Sequence, residues 1–272
     1  MTVVRIESDA DERLSDFRNI PDPDLLVRRG LFVAEGRLVV TRLLASGLET
    51  RALLVTEAAL ASIGASAVNG GIVVYVVPQT VMNSVAGFKF HRGCLAIGVR
   101  PPARDWREIV AAAGRQEPAR VPKLLVLERV GNVDNVGAIF RNAAAFGVAG
   151  VLVQADCVDP LYRKAIRTSM AASLTVPYAT VPWPDALHEL GVAGWATIAM
   201  TPAYDAPLLQ SVAAALVDRP IAIALGHEGD GLTAEATRAC THRARIPMAH
   251  GVDSVNVATA AAIALYEVCG RQ

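Results

Sequence analysis

The chain has 272 residues, of which 53% are apolar and 19% charged, and its 26 basic and 26 acidic side chains cancel. That composition fits one large or two ordinary folded domains and excludes a disordered or fibrous chain. No apolar run reaches the length of a membrane span, and the opening MTVVRIESDADERL is too acidic for a signal peptide, so a cytoplasmic protein is expected.

Residues 1–24 are polar and acidic, end in Pro21-Asp22-Pro23-Asp24, and read as a loosely held arm. Leu31–Ala34 reads as a strand and Arg37–Ala45 as an amphipathic helix stopped by Gly47. Strands follow at Ala52–Thr56, Ile72–Val77 and Cys94–Val99, with helices through Leu60 and over Pro78–Val85. This alternation predicts a small α/β domain over 25–104. Pro101-Pro102 closes it, and 105–122 reads as a linker with one helix, Asp105–Ala113, and the breaks Glu117-Pro118 and Pro122.

A second domain, 123–272, opens with a strand at Lys123–Glu128, a helix at Val136–Phe146 ending at Gly147, and a strand at Val151–Gln154. Asp159-Pro160 starts a helix carrying Arg163, Lys164 and Arg167. Leu174–Val176, Thr197–Met200 and Ile221–Leu225 read as further strands. The pattern predicts a mainly parallel, doubly wound sheet with helices on both faces.

The last of those strands ends in Gly226-His227-Glu228-Gly229-Asp230-Gly231. A glycine-rich turn at a strand's carboxyl end is where open α/β sheets place ligands, because backbone amides can approach closely there. Asp253 and Ser254 suit the N-cap of a small-residue helix, Val255–Val268. Each feature alone is more often a plain turn or a plain cap. The loop lacks the Gly-Lys-Ser/Thr ending of a P-loop, so nothing in it supports nucleotide triphosphate hydrolysis. Cys94, Cys157, Cys240 and Cys269 are scattered, and the five histidines form no cluster, so no metal site is expected.

Three segments together are more specific. Asn135-Val136-Gly137-Ala138-Ile139-Phe140-Arg141 behind a strand, then Gly226, Glu228, Gly229 and Gly231, then Ile246-Pro247-Met248 with Ser254-Val255-Asn256-Val257, stand in order. From about Val121 onward the chain resembles the SpoU-type RNA 2'-O-ribose methyltransferases of the SPOUT superfamily. The resemblance implies a C-terminal domain with a deep trefoil knot, S-adenosylmethionine as cofactor, and a homodimer that completes the active site. It places the donor on Leu225, Gly226, Gly231, Ile246, Met248 and Val255. Asn135, Arg141, Glu228, Ser254 and Asn256 match the family's polar site positions. Glu228 reads either as a site acid or as an anchor for the loop, and Ser254 either as a site residue or as a cap. Two positions depart from the family pattern: Asn132-Val133 stands where Asp-Pro is usual, and His227 where Asn is frequent.

Phe32-Val33-Ala34-Glu35-Gly36 resembles the start of the ribosomal-protein-like RNA-binding domain that many such enzymes carry. Residues 25–104 hold nine basic side chains against Glu35, Glu49 and Glu57. Arg28, Arg29, Arg37, Lys89, Arg92 and Arg167 are candidate RNA contacts, while Phe88 and Phe90 fit core positions better than stacking platforms. The extra domain favours ribosomal over transfer RNA as substrate. Two rival readings are a Rossmann-type nucleotide enzyme, suggested by Glu128, Gly131 and Gly137 although their spacing does not fit, and a non-catalytic RNA-binding protein.

Overall fold

The computed structural model describes residues 2–18, 20–63, 71–91, 93–115 and 121–269. Its contacts gather Met1–Pro102 with Pro160–Thr175 into one unit, and Ala103–Asp159 with Val176–Gln272 into another. This division differs from the expected 25–104, 105–122 and 123–272 at the arm, at the linker and at 160–175.

The first unit is a mixed five-stranded sheet. Its strands are β1 (Thr2–Arg5), β2 (Leu31–Glu35), β3 (Thr50–Val55), β4 (Val73–Val76) and β5 (Cys94–Val99), in the order β1-β4-β3-β5-β2. The helices α1 (Arg37–Ala45), α2 (Glu57–Ile63) and α3 (Gln79–Ala86) connect them. The N-terminal segment is not a loose arm. β1 runs parallel to β4, with Thr2 opposite Val73 and Arg5 opposite Val76. Leu14 and Phe17 are fully buried beside Val33, Leu54 and Met82, and Phe17 meets Tyr75 edge-on. Burying each such side chain contributes about 1.5–3 kcal/mol, which outweighs the acidic composition around them. Antiparallel β2 and β5 place Phe32 opposite Gly98, where a Cβ would lie 2.2 Å from the phenyl ring. Only glycine lets these strands close with the ring between them.

The second unit begins with α4 (Trp106–Ala113), capped by Asp105, which accepts the Arg107 N–H at 2.9 Å. Trp106, Ile109 and Ala113, spaced on one helical face, are buried with Leu124, Leu152 and Leu187. This helix is therefore part of the second core and not a linker; Glu117-Pro118 lies outside the described residues. β6 (Lys123–Leu127), α5 (Val133–Ala145) and β7 (Gly150–Gln154) follow. α5 starts three residues before the expected Val136, because Asn132 Oδ1 accepts the Asp134 N–H at 2.8 Å and caps it.

The next helix, α6 (Arg163–Thr168), belongs to the first unit and packs on β2. Arg163 N–H donates to Asp22 Oδ2 at 3.0 Å. The strand expected at Leu174–Val176 is instead a 3-10 turn over Ala172–Leu174. Ser169 Oγ accepts the Ser173 N–H and Thr175 Oγ1 donates to the Ala172 carbonyl, local bonds that compete with a ladder.

The second unit resumes with β8 (Tyr178–Val181), α7 (Asp185–Val192), β9 (Ala196–Met200), α8 (Leu209–Ala215), β10 (Ile221–Leu225), α9 (Ala234–Ala239), β11 (His242–Ala244) and α10 (Val257–Cys269). The six strands are all parallel, in the order β11-β9-β10-β6-β7-β8. Every residue of β6 and β10 is buried, as expected for central strands of a parallel sheet. α10 packs on α5, where Asn142 Nδ2 donates to the Ala258 carbonyl at 2.9 Å. Among the described residues no helix is long and apolar enough to cross a membrane.

Candidate active site

The central pair β6 and β10 runs in register to Leu127 opposite Leu225, so the loops that follow emerge side by side at one sheet edge. The loop after β10 is a closed ring. His227 and Gly231 exchange both backbone bonds, at 3.1 and 3.0 Å. A Cβ on Gly226 would sit 2.2 Å from the backbone of Gly231, so this closure requires glycine there. His227 Nδ1 accepts the N–H of Gly229 at 3.0 Å and of Asp230 at 3.2 Å, which assigns its proton to Nε2. An asparagine oxygen could accept the same bonds, which explains how histidine replaces it here.

Glu228 ties this ring to the loop after β6. Its carboxylate accepts from Asn135 Nδ2 at 2.8 Å, from the Asn132 N–H at 3.0 Å and from the Gly131 N–H at 3.3 Å. Partial burial pushes its carboxyl up, but the bonds from Asn135, its own N–H, Asn132 and Gly131 outweigh that and hold it below the ordinary glutamate range. Glu228 therefore anchors the loop after β6 to the ring through its carboxylate oxygens. Asn135, 8% exposed, accepts in turn from Asn256 Nδ2 at 2.8 Å. Asn256 Oδ1 accepts the N–H of Ala258 at 2.9 Å and of Thr259 at 3.3 Å. Asn256 is thus the cap of α10, a role expected of Asp253 or Ser254, and the helix begins at Val257 rather than Val255. One polar chain, Asn256–Asn135–Glu228, stitches three loops together.

A cavity opens beside this chain. Leu225, Gly226 and Gly231 form one wall, and Ile246, Met248 and Val255 another, with Glu228 and Ser254 also exposed to it. All six residues expected around the donor therefore share one cavity. Met200, Thr201 and Pro202, at the end of β9, complete it. Their part was not legible in the sequence, because nothing local announces that β9 adjoins β10. The apolar walls and the glycine backbone suit a cofactor with an aromatic base and an aliphatic sulfonium arm, with main-chain groups left to read the base.

Arg141 does not join this group. It is exposed and does not line the cavity. Six residues along α5 turn the helix by roughly 600°, which leaves Arg141 about 120° from Asn135.

Glu128, which stands in the rival nucleotide-binding motif, is a structural clamp. Only 1% exposed, it accepts from Trp183 Nε1 at 2.6 Å, from Thr233 N–H at 2.8 Å and from Thr233 Oγ1 at 2.8 Å. It fastens the start of α9, which Thr233 caps, to the end of β6. Burial pushes the Cys94 and Cys240 thiols up to about 12 and the Cys157 thiol up to about 11.

The RNA candidates of the first unit are mostly engaged. Arg29 and Arg51 reach Asp16 at 2.9 and 3.6 Å, and Arg28 reaches Asp24 at 3.2 Å. The acids of the N-terminal segment thus offset much of the positive surplus counted over 25–104. Arg37 donates to Ser62 Oγ at 2.8 Å, and Arg167 pairs at 3.4 Å with buried Glu35. Lys89 is exposed beside Phe88, which is half exposed, whereas Phe90 is in the core. Arg92 lies outside the described residues.

The parallel sheet, its glycine ring and the three stitched loops define a class. Residues 122–266 match the SpoU rRNA Methylase family, and the chain belongs to it. It is a tRNA/rRNA methyltransferase of that family, whose methyl donor is S-adenosylmethionine. Over 262 residues it is 43% identical to an uncharacterized tRNA/rRNA methyltransferase of Mycobacterium tuberculosis, covering 94% of this chain and 88% of that protein. Over 152 residues it is 37% identical to a 23S rRNA (guanosine-2'-O-)-methyltransferase of Vibrio cholerae, covering 54% and 58%. Its fold is similar to an AdoMet-bound rRNA methyltransferase from Sinorhizobium meliloti, with a TM-score of 0.82 and 23% identity, covering 98% and 97%.

Proposed function

We propose that the protein methylates a ribose 2'-oxygen in structured RNA, with ribosomal RNA favoured over transfer RNA. The observation that carries this reading is the Asn256–Asn135–Glu228 chain beside the glycine-walled cavity. The name of the Vibrio cholerae relative supports both the ribose and the ribosomal substrate.

When bound, S-adenosylmethionine supplies an electrophilic methyl group on a sulfonium. Leu225, Gly226, Gly231, Ile246, Met248 and Val255 hold it and exclude water. Glu228, through Asn135 and the backbone of 131–132, keeps the loops in the arrangement that receives the acceptor. Arg141 is the fork that grips the acceptor's phosphate and favours the developing alkoxide; a guanidinium is too weak an acid to serve as a base at neutral pH. The hydroxyl proton passes to phosphate or water. Arg141 is exposed and does not line the cavity of its own chain, and in this reading it serves the cavity of a second copy, in a homodimer formed through the C-terminal unit. The same reading includes a trefoil knot in that unit, and RNA-gripping contacts at Arg28, Arg29, Arg37, Lys89, Arg92 and Arg167.

The test is transfer of labelled methyl from S-adenosylmethionine to unmodified ribosomal RNA and, separately, to transfer RNA. Digestion to nucleosides should show one 2'-O-methylnucleoside from ribosomal RNA. Label in a base would overturn the ribose assignment, and label in transfer RNA alone the choice of substrate.

A further inference from the structure

Arg129 stands at the site without a part in the account above. It follows buried Glu128 in the loop that Glu228 anchors, with φ at +51°, a left-handed backbone that long side chains rarely adopt. The kink is held: Arg129 N–H donates to Gln154 Oε1 at 3.0 Å. It lets Glu128 turn inward to Trp183 and Thr233 while the Arg129 guanidinium reaches the glycine ring, where Nη1 lies 4.0 Å from Asp230 Oδ2. That pair is loose and open to solvent on the aspartate side, 77% exposed. Arg129 Nε is buried and meets no acceptor among the described residues. The side chain as a whole is 36% exposed, so its terminal nitrogens, held only by the loose Asp230 pair, are poised for an anion that they can fork.

The cavity beside it carries Glu228 and Asp230 and no lysine or arginine among its described lining residues. An RNA strand entering there needs a cation to offset those two acids. Arg129 reaches Asp230 without lining the cavity itself, which favours the RNA backbone over a group of the cofactor. We infer that Arg129 is a positioning residue that forks a phosphodiester of the RNA substrate at the mouth of the cavity, with Asp230 as its resting partner. The inference rests on the proposed RNA methyl transfer and adds to it a second phosphate contact, on a different loop from Arg141.

The experiment uses the full chain, with in vitro-transcribed unmodified ribosomal RNA as one probe and S-adenosylhomocysteine as the other. Arg129→Gln and Arg129→Gly should each weaken RNA binding by roughly tenfold at low salt, the scale of one charged hydrogen-bonding contact. Each should also lower the slope of log affinity against log salt by about 0.7–0.9, the signature of one phosphate contact. Affinity for S-adenosylhomocysteine should stay unchanged. Arg129→Gly should melt no lower than wild type, since glycine suits the left-handed backbone. Asp230→Asn should tighten RNA binding more in the wild type than in the Arg129→Gln background.

An unchanged salt slope, or an equal gain from Asp230→Asn in both backgrounds, would overturn the inference. So would lost cofactor affinity with RNA binding intact, which would assign Arg129 to the cofactor's carboxylate. A wild-type protein that transfers methyl to RNA while both Arg129 variants match it sinks this inference alone. A wild-type protein inert toward every RNA sinks the proposed function with it.

Discussion

Substituting Asn135 probes the polar chain at its centre. Asn135→Ala removes the 2.8 Å bonds to Glu228 and from Asn256, and leaves the Asn256 Nδ2 donor and one Glu228 carboxylate oxygen each short of a partner. Because water can reach both stranded partners, stability should fall by about 1–2 kcal/mol. Asn135→Asp keeps the shape and the bond from Asn256 but sets a carboxylate oxygen against Glu228 Oε1 at the former donor's 2.8 Å. Two unit charges at that distance repel by about 6 kcal/mol at an effective dielectric of about 20. Uptake of a proton limits the cost: protonating a carboxyl with an ordinary value near 4 costs about 4 kcal/mol at pH 7. Because Glu228 is open to solvent on one side, screening brings the figure down toward about 2–3 kcal/mol. The sign of the pH dependence follows. The folded pair binds a proton that the unfolded chain releases, so the deficit is small near pH 4 and grows as pH rises toward 7. Urea unfolding of wild type, Asn135→Ala and Asn135→Asp from pH 5 to 8 would show a pH-dependent deficit in the aspartate variant only. A deficit in Asn135→Asp that ignores pH would refute the contact.

Other substitutions test other parts. Arg141→Lys should slow single-turnover transfer by about a hundredfold with cofactor affinity unchanged, the scale for loss of one electrostatic donor; a rate within about threefold at every pH would count against its role. Glu128→Ala should cost about 3 kcal/mol in urea unfolding, because it strands the Trp183 and Thr233 donors, and a loss under about 1 kcal/mol would contradict that clamp. Gly98→Ala should lower the melting temperature, at about 1–3 kcal/mol for overpacking against Phe32, and Gly98→Ala with Phe32→Leu should recover part of it.

Much of the site was legible because its parts sit at ends of elements that the sequence marks plainly. Apolar runs set β6 and β10, and glycines set the ring after β10, so Leu225 and Gly226 could be placed at a carboxyl edge before any coordinates. What stayed hidden depends on distant partners. Glu128 acquires its meaning only from Trp183 and Thr233, and Met200 only from the pairing of β9 with β10. The N-terminal segment misled because charge was weighed over its spaced apolar residues, whose value appears only when β4 accepts them. The stretch at 172–175 misled because serine and threonine side chains bond their own backbone where β-propensity alone suggests a strand.

The central claim is that one ribose of ribosomal RNA receives its methyl group from this protein. Ribose methylation can be mapped across all RNA from cells with and without the gene. One ribosomal nucleotide should lose its 2'-O-methyl, and the wild-type gene should restore it where Arg141→Lys does not. A loss confined to transfer RNA, or of a base methyl with every ribose mark intact, would contradict the account.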